Sequence, residues 1–497
     1  MIGYCDNDQI SHQLAHRFSK QRPEMISEKD WGLYSPQAES HLQSIMMLQT
    51  WNSIRAIDFL QSLPEVDPGR IAVTGASGGG TQTFALSALD PRVTVSMPAV
   101  MVGTAMQGGC TCENASLMRI KEGNVAFAAL FAPRPLGLTT ANDWTKEMAT
   151  KGFPEIRKTY QMLGAPSMVT LHDRTEFDHN YNLPSRQAMY RWFNEHLDLG
   201  IANPENERPH KLLTEKDLTV FDRDHPKPVG GDDFERALLA SLAAEASATI
   251  SRNPEIARKG WNSILGTSLR DTGVVEWQLT DKNDRGSYLE MPGLHNNRTK
   301  GQQVPVIWLY PKNWKRHAAI FLSAHGKSGL YNEQGDPRPE VRALLKDGVS
   351  VCGSDLFQQG EFLRDGKPVT ETRRVKNPRE AACYTQGYNR PLFAQRVADI
   401  LSAIRLIQTD QHGAKKITLV GLAGSGHWAA AAHFLAGKAI HRAAIESSNF
   451  DFIKVTDIRH PDLMPGASKY GGMKGLLDLA SQKAWNVDTN GLPEWLK

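Results

Sequence analysis

The stretch Gly75-Ala76-Ser77-Gly78-Gly79 decides the fold of the first part of the chain. An apolar run at 71–74 precedes it, and residues 80–89 can form a helix. Small residues on both sides of the serine allow a turn tight enough to expose its hydroxyl group. A G-x-S-x-G pattern alone is common by chance, so the flanking strand and helix are needed to specify it. The sequence therefore predicts a nucleophile elbow with Ser77 at its apex.

The segments around this elbow predict an α/β fold with a mostly parallel sheet. Apolar residues recur at helical spacing over 42–63, and short apolar runs at 93–97, 136–140 and 168–171 are typical of buried strands. A closing helix is expected over 185–197. Because strands and helices alternate, helices should cover both faces of the sheet.

A serine hydroxyl becomes a nucleophile only when a base removes its proton and a carboxylate orients that base. In this type of fold the acid follows a late strand, and the base lies in the loop after the last strand. These positions select Asp143 as the acid and His179 as the base. The backbone N–H of Gly78, directly after the nucleophile, is the expected oxyanion donor. The sequence thus predicts a triad of Ser77, His179 and Asp143.

Other side chains compete for these roles. Asp143 could instead cap a helix or stabilise a turn, which is a frequent use of aspartate. His172 lies at the end of a strand and His196 inside the closing helix, so structural or surface roles are favoured for both. Asp178, next to the predicted base, should point away from it, and Glu176 is a weaker alternative acid.

The second half of the chain repeats the pattern of the first. Its strands are predicted at 274–280, 286–290, 304–310, 318–323, 349–354, 417–421 and 442–446. Ile417–Gly421 resembles Ile71–Gly75, and the following turn places Ala423 where the first half has Ser77. Ser425 comes two positions late and is not expected to attack a substrate. We therefore expect an elbow without a nucleophile in the second half.

The composition divides the chain into three parts. Residues 1–200 are the predicted catalytic unit, residues 201–270 a polar linker and a helix, and residues 271–497 a second, non-catalytic unit. Early strands and the loop that supplies a second oxyanion donor are not visible before the first elbow. No strand or histidine loop is visible after residues 471–479. The fold class predicted is two α/β units with mostly parallel sheets flanked by helices, the first lacking its early strands, and the family resemblance given below implies that the second is incomplete at its end.

Composition argues against several other classes of protein. The 497 residues carry a net charge of +3, and no block of like charge indicates a nucleic-acid or membrane-surface partner. No apolar run approaches the roughly 18 residues that span a bilayer. No signal peptide is visible, although an incomplete N-terminus would also remove one, so the location of the protein stays open.

The five cysteines indicate neither a disulfide framework nor a zinc site. Cys110 and Cys112 form a C-x-C pair, but no second Cys/His pair at zinc spacing is nearby. We expect thiols that are packed or paired in a loop near the mouth of a pocket. No metal and no cofactor is predicted.

With these residues assembled, the chain resembles the α/β-hydrolase superfamily. More narrowly, it is similar to the bacterial acetyl xylan esterase-like hydrolases, which are relatives of dienelactone hydrolase and prolyl oligopeptidase. The matching segments are TGASGGGTQTF (74–84), MQGGCTCENA (106–115), LFAPRPLGLTTANDWTKEM (130–148) and FDHNYNLPSRQAMYRWFNEHL (177–197). The resemblance implies that Ser77, Asp143 and His179 are the family's nucleophile, acid and base. It also implies that residues 1–6 form the loop after the family's fourth strand.

The sequence and the resemblance together predict a serine esterase acting on acetylated or otherwise esterified carbohydrate. Two other classes stay open. One is a catalytically inactive scaffold or binding protein, which Ala423 favours for the second half and the missing oxyanion loop favours for the first. The other is a peptidase or lactonase that uses the same triad. The acyl group, the alcohol and the oligomeric state cannot be read from the sequence.

Overall fold

The computed structural model of the chain describes residues 19–497 except 210, 220, 378, 411–412 and 448–449. The chain forms two compact units, each made of discontinuous segments. Unit 1 comprises Met1–Gln21, Gln43–Glu235 and Lys376–Asn389, and unit 2 comprises Arg22–Leu42, Arg236–Val375 and Arg390–Lys497. The stretch at residues 1–6 singled out in the sequence lies outside the described residues.

Two short segments distinguish these units from the consecutive domains, 1–200 and 271–497, that composition suggests. Residues 22–42 belong to unit 2, where the Gln37 side chain donates to the carbonyl oxygens of Ile453 and Val455 at 3.0 and 2.9 Å. Residues 376–389 belong to unit 1, where Gln386 accepts a backbone hydrogen bond from Leu117 at 2.8 Å. Such long-range contacts leave no local pattern in the sequence.

Unit 1 is built on a four-stranded parallel sheet in the order β1–β2–β3–β4. The strands are β1 (Ala72–Ala76), β2 (Val95–Ala99), β3 (Leu136–Thr139) and β4 (Val169–His172). Its helices are Ile45–Ser62, Gly78–Leu89, Asn124–Ala129, Gly152–Met162, Leu183–His196, Glu215–Leu218 and Cys383–Gln386. The four strands and the helices Ile45–Ser62, Gly78–Leu89 and Leu183–His196 lie within a few residues of predicted elements, whereas the other helices are not predicted from the sequence. The predicted fold class, a parallel sheet flanked by helices, is confirmed.

The core of unit 1 lies on both faces of this sheet. On one face, Val95 and Met97 of β2 pack with Ala188 and Trp192 of the closing helix. On the other, Phe84 of the helix after β1 belongs to a larger apolar cluster. Every residue of β2 is buried, Ser96 included, as is typical of a central strand in a parallel sheet. By contrast, β1 pairs only with β2 among the described residues and is half-buried throughout, as expected of an edge strand.

Unit 2 contains a nine-stranded mixed sheet in the order β13–β12–β11–β9–β10–β8–β7–β5, with β6 paired to β7. Its strands are β5 (Val275–Leu279), β6 (Asn283–Asp284), β7 (Tyr288–Asn297), β8 (Gln302–Pro311), β9 (His317–Leu322), β10 (Val349–Ser354), β11 (Lys416–Gly421), β12 (Arg442–Ile445) and β13 (Trp485–Asn486). The five strands β10, β9, β11, β12 and β13, in their order across the sheet, are parallel. The strand β8 runs antiparallel to both of its neighbours, β10 and β7. Because β9 lies between β10 and β11, the strand order reverses at β9.

The helices of unit 2 cover this sheet. They are Pro36–Ser40, Pro254–Leu265, Pro339–Lys346, Leu392–Thr409, Gly426–Ala436, Gly472–Leu479 and Val487–Asn490, and the helix Asp232–Arg252 spans the boundary after Glu235. Each strand predicted in the second half is present. One expectation needs correction, because β13 follows residues 471–479 and pairs in parallel with β12. A strand of two residues is too short to produce a periodic pattern.

Residues 201–230 are mostly exposed, and their only regular element among the described residues is the single helical turn Glu215–Leu218. Glu207 ties the start of this stretch to the closing helix of unit 1, since its carboxylate accepts hydrogen bonds from Arg186 at 2.6 Å and from Tyr190 at 2.7 Å. Over the described part of the chain, every helix is too short or too polar to cross a membrane.

Candidate active site

Ser77 occupies a strained turn between β1 and the helix Gly78–Leu89. Its backbone has φ 55° and ψ −122°, a conformation that L-residues rarely adopt. Its N–H donates to the carbonyl of Ala99 at 3.1 Å, and its carbonyl accepts from the N–H of Thr81 at 3.0 Å. Strain of this kind costs about 1–3 kcal/mol and persists where the surrounding structure enforces it. The strand, turn and helix expected from the sequence are all present.

The glycines of the turn allow β1 and the following helix to approach each other. A Cβ at Gly75 would lie 2.6 Å from the carbonyl oxygen of Gly79, and one at Gly80 would lie 2.7 Å from the Cβ of Met101. A Cβ at Gly79 would meet no atom within 4 Å. The steric requirement for glycine is therefore at Gly75 and Gly80, whereas Gly79 contributes the backbone that Gly75 contacts.

We expect Gly75→Ala to destabilise unit 1 and Gly79→Ala to leave its stability nearly unchanged. The first substitution overpacks the turn, which costs about 1–3 kcal/mol and lowers the unfolding temperature by roughly 2–10 °C. The second adds a methyl group in open space, and alanine favours a helix over glycine by about 1 kcal/mol. Scanning calorimetry of both variants tests this contrast. Equal unfolding temperatures for the two variants would contradict it.

Asp143 and His179 are brought together by two neighbouring loops. Asp143 follows β3, and His179 lies between β4 and the closing helix. The Nδ1 atom of His179 is 2.7 Å from Oδ2 of Asp143. The other carboxylate oxygen, Oδ1, accepts from both the N–H and the hydroxyl of Thr145, each at 2.6 Å. Thr145 thus fixes the carboxylate, whose bond to Nδ1 favours the tautomer that leaves Nε2 free to accept a proton.

The environments of these two side chains differ. The side chain of Asp143 is 6% exposed, whereas that of His179 is 34% exposed. The ring of Trp144 lies against the imidazole, with 4.5 Å between the ring centroids. The Nε1 atom of Trp144 is buried and has no hydrogen-bond partner among the described residues. One side of the imidazole is therefore covered, while the other is accessible to a substrate.

The loop that carries His179 is attached to β1 and to the loop of Asp143. Thr74 Oγ1 donates to the carbonyl of Met97 at 2.8 Å, so the hydroxyl of Tyr181, 2.7 Å away, donates to Thr74. The N–H of Asn142 donates to the carbonyl of Phe177 at 2.7 Å. Burial raises the pKa of Tyr181 to about 12, which keeps its hydroxyl protonated. These bonds link the three chain segments that carry Ser77, Asp143 and His179.

The N–H of Gly78 begins the helix after the elbow and finds no acceptor among the described residues. The first turn of a helix leaves such N–H groups unpaired and carries a partial positive charge. This position fits the predicted oxyanion donor. Among the described residues of unit 1, no second donor is identified.

The competing side chains have other surroundings. His172 ends β4, and burial, together with Arg191 and Arg174, lowers its pKa. The ring of His196 lies 3.9 Å from that of Trp192, and burial lowers its pKa as well. Glu176 pairs with Arg174 at 3.5 Å, and Asp178 accepts from Asn180 through its backbone carbonyl. In the part of unit 1 that the structure describes, none of these four bonds to His179.

Unit 2 repeats the turn without a nucleophile. Ala423 has φ 48° and follows β11, as Ser77 follows β1. A Cβ at Gly421 would lie 2.4 Å from the Cβ of Ala429, so this glycine allows the same close approach as Gly75. Ser425 is buried, and its hydroxyl donates to the carbonyl of Leu422 at 2.8 Å. The apex of the turn therefore presents only a methyl group.

The expectation of packed or paired thiols is confirmed. Cys110 and Cys112 form a disulfide, and Cys352 and Cys383 are buried and lie outside this disulfide. Cys5 lies outside the described residues. Within residues 19–497, apart from the gaps given above, no group of three or more His, Cys, Asp or Glu side chains is arranged to hold a metal ion.

Residues 6–123 match a family model described as "Glucuronyl esterase, fungi". The matched range contains Ser77 and Gly78, whereas Asp143 and His179 lie beyond it. The predicted resemblance to carbohydrate esterases of the α/β-hydrolase type is confirmed by this match. No curated protein sequence matches the chain.

Several solved esterases are similar to parts of the chain. Methylesterase BT1017 is 33% identical over 32% of this chain and 39% of its own, with a TM-score of 0.30. A carbohydrate esterase family 15 glucuronoyl esterase from Caldicellulosiruptor kristjansonii is 18% identical over 36% and 57%, with a TM-score of 0.27. Acetyl xylan esterase 1 from Thermoanaerobacterium sp. is 14% identical over 46% and 76%, with a TM-score of 0.33. The chain thus spans about two fifths of the length of the methylesterase.

Proposed function

We propose that unit 1 is a serine hydrolase that cleaves a carboxylic ester of a carbohydrate. The Ser77 hydroxyl attacks the ester carbonyl while His179 Nε2 takes its proton and then returns it to the leaving alcohol. Asp143 holds the imidazole and stabilises its charged form, and the N–H of Gly78 donates to the oxyanion. The resulting acyl-enzyme is hydrolysed by a water molecule that His179 activates.

The observation that supports this proposal most strongly is the bond between Asp143 and His179. Their side chains are 2.7 Å apart although 36 residues separate them along the chain. Thr145 fixes the carboxylate of Asp143. Tyr181 anchors the histidine loop by its hydrogen bond to Thr74, which lies three residues before Ser77. An exposed surface pair would need no such support, because it would contribute little to stability.

The matching family model supports a carbohydrate ester as the substrate class. Two chemical arrangements fit this class. The sugar can supply the acid, as in a uronic acid ester, or the alcohol, as in an acetylated sugar. The name of the family model favours a uronic acid ester, which we take as the first substrate to test.

Two measurements on the full chain test the proposed function. Hydrolysis of methyl glucuronate, acetylated xylobiose and p-nitrophenyl acetate should be detectable for at least one ester, and a fluorophosphonate probe should label the peptide that contains Ser77. Absence of both turnover and labelling would favour an inactive scaffold. Labelling with cleavage of a peptide anilide but of no ester would favour a peptidase, and opening of a lactone alone would favour a lactonase.

We expect Tyr181→Phe to lower kcat about 2- to 10-fold and to leave KM nearly unchanged. The variant loses one hydrogen bond, worth about 0.5–1.5 kcal/mol, that positions the histidine loop without contacting the substrate. Thr74→Val should have the same effect, and the double variant should show no further loss. Tyr190→Phe is the matched control, since its hydroxyl bonds Glu207 instead. An equal decrease in kcat for this control would contradict a positioning role of Tyr181.

A further inference from the structure

A cavity of about 490 Å³ opens in unit 2 at the carboxyl ends of three adjacent strands. Ala324 and His325 follow β9, Gln358 and Gln359 follow β10, and Gly424 follows β11. The strand order reverses at β9, which lies between the other two. Ligands of open α/β sheets bind at such a reversal, outside the carboxyl ends of the strands. The volume also falls within the range of about 300–1,000 Å³ that is typical of small-molecule sites.

The charges in the wall of this cavity compensate each other. Asp462 Oδ1 accepts a hydrogen bond from Trp428 Nε1 at 2.7 Å, and its Oδ2 lies 3.2 Å from His427 Nε2. Arg396 approaches the same carboxylate at 3.6 Å. Burial raises the pKa of Asp462, but His427, Arg396 and Trp428 outweigh burial and lower it to about 2. Because the buried guanidinium already faces an ionised carboxylate, the cavity offers an anionic ligand no uncompensated positive charge.

The remaining polar groups supply both donors and acceptors. His460 Nδ1 accepts from the N–H of Asp462 at 3.0 Å, so the proton of the ring is on Nε2, which is a donor. Burial lowers the pKa of His460, which keeps the imidazole neutral. The hydroxyl of Ser328 donates to the carbonyl of His325 at 2.7 Å, which leaves its oxygen available as an acceptor. Leu363, Pro368, Val369 and Pro461 add apolar surface to the same wall.

The elbow beside this cavity has no nucleophile at its apex, but its backbone is similar in shape to the elbow of unit 1. Ala423 still adopts the left-handed φ of 48°, although alanine has no chemical group to expose there. Without a hydroxyl at its apex, this elbow cannot form an acyl-enzyme. A neutral wall with mixed donors and acceptors beside apolar side chains suits a ring that carries hydroxyl groups.

We propose that this cavity binds a neutral sugar of one or two rings without cleaving it. Unit 2 is then a sugar-binding unit, and its role does not depend on the ester hydrolysis proposed for unit 1. The site differs from the unit 1 site in its residues, its charge and its lack of a nucleophile.

Isothermal titration calorimetry on the full chain carrying Ser77→Ala tests this proposal, since that substitution removes the proposed turnover. Xylobiose and cellobiose are the neutral probes, and galacturonic acid is the acidic one. We expect at least one neutral probe to bind and the acid to bind more weakly. Absence of binding by both neutral probes up to 10 mM would overturn the proposal, as would tighter binding of the acid.

Val369→Trp should fill the cavity and weaken binding of the neutral probe at least about tenfold. Val375→Trp is the matched control, because Val375 is 49% exposed and does not line the cavity. His460→Ala removes a single donor and should weaken binding about fivefold. It tests the cavity independently if Val369→Trp does not fold. Unchanged affinity in both cavity variants would place the sugar elsewhere and overturn the proposal. Hydrolysis of p-nitrophenyl acetate by the Val369→Trp variant with Ser77 intact should be unaffected.

Discussion

Ser77→Ala is expected to lower kcat for ester hydrolysis by about 10⁴- to 10⁶-fold. The methyl group of alanine cannot attack the carbonyl, and no other hydroxyl among the described residues occupies the apex of the turn in unit 1. The strained φ of 55° is enforced by the bonds of Ser77 to Ala99 and Thr81, which do not involve its hydroxyl. The variant should therefore fold normally, and its circular dichroism spectrum should match that of the parent chain.

Two variants of unit 2 are controls for this result. Ser425→Ala removes a hydroxyl that already donates to Leu422, so it should leave kcat unchanged. Ala423→Ser, added to Ser77→Ala, restores a serine at the apex of the second turn, but His460, which lines the same cavity as Gly424, carries its proton on Nε2 and cannot take one from that serine. Turnover by this double variant above that of Ser77→Ala would contradict the assignment of catalysis to unit 1. Retention of activity by Ser77→Ala alone would contradict the proposed function itself.

The parts of this protein that the sequence predicts correctly are those with a local cause. The elbow can be predicted because the glycines on which the steric demand of the turn falls, Gly75 and Gly80, lie close together in the sequence on either side of Ser77. The strand β2 can be predicted because apolar residues dominate the short stretch at 93–99. The contact between Asp143 and His179 is not local, since 36 residues separate them, but it fits the rule that loops after parallel strands meet at the same edge of the sheet.

The features that the sequence does not reveal depend on contacts between distant segments. Tyr181 lies two residues after His179, but its partner Thr74 lies 107 residues away, so no local sequence pattern predicts this hydrogen bond. The fixation of Asp143 by Thr145 is closer in sequence, yet a threonine two positions after an aspartate is too common to be a signal. The cavity of unit 2 is formed by loops that follow three different strands. Since the turn at Ala423 carries no serine, the sequence contains no motif that indicates a site there.

Asp143→Asn is expected to lower kcat by about 10⁴-fold while leaving KM within a few-fold of the parent value. An asparagine amide that donates to Nδ1 of His179 favours the tautomer with the proton on Nε2, which cannot accept the proton of Ser77. Thr145 can still donate to the remaining side-chain oxygen, so the loop should keep its conformation. Steady-state kinetics measures the loss, with kcat taken at saturating substrate and kcat/KM at limiting substrate.

Asp178→Asn is the matched control for this substitution, because it changes the same chemical group on the residue adjacent to the same histidine. Its side chain makes no bond to His179 among the described residues, and only its backbone carbonyl accepts a hydrogen bond, from Asn180. We therefore expect its kcat to stay within about twofold of the parent value, as for most exposed substitutions. A large loss in Asp178→Asn together with a small one in Asp143→Asn would mean that the imidazole turns toward the other carboxylate in the working enzyme. Equal small losses would instead indicate that His179 acts without a fixed acid, and that burial of Asp143 serves the fold of its loop alone.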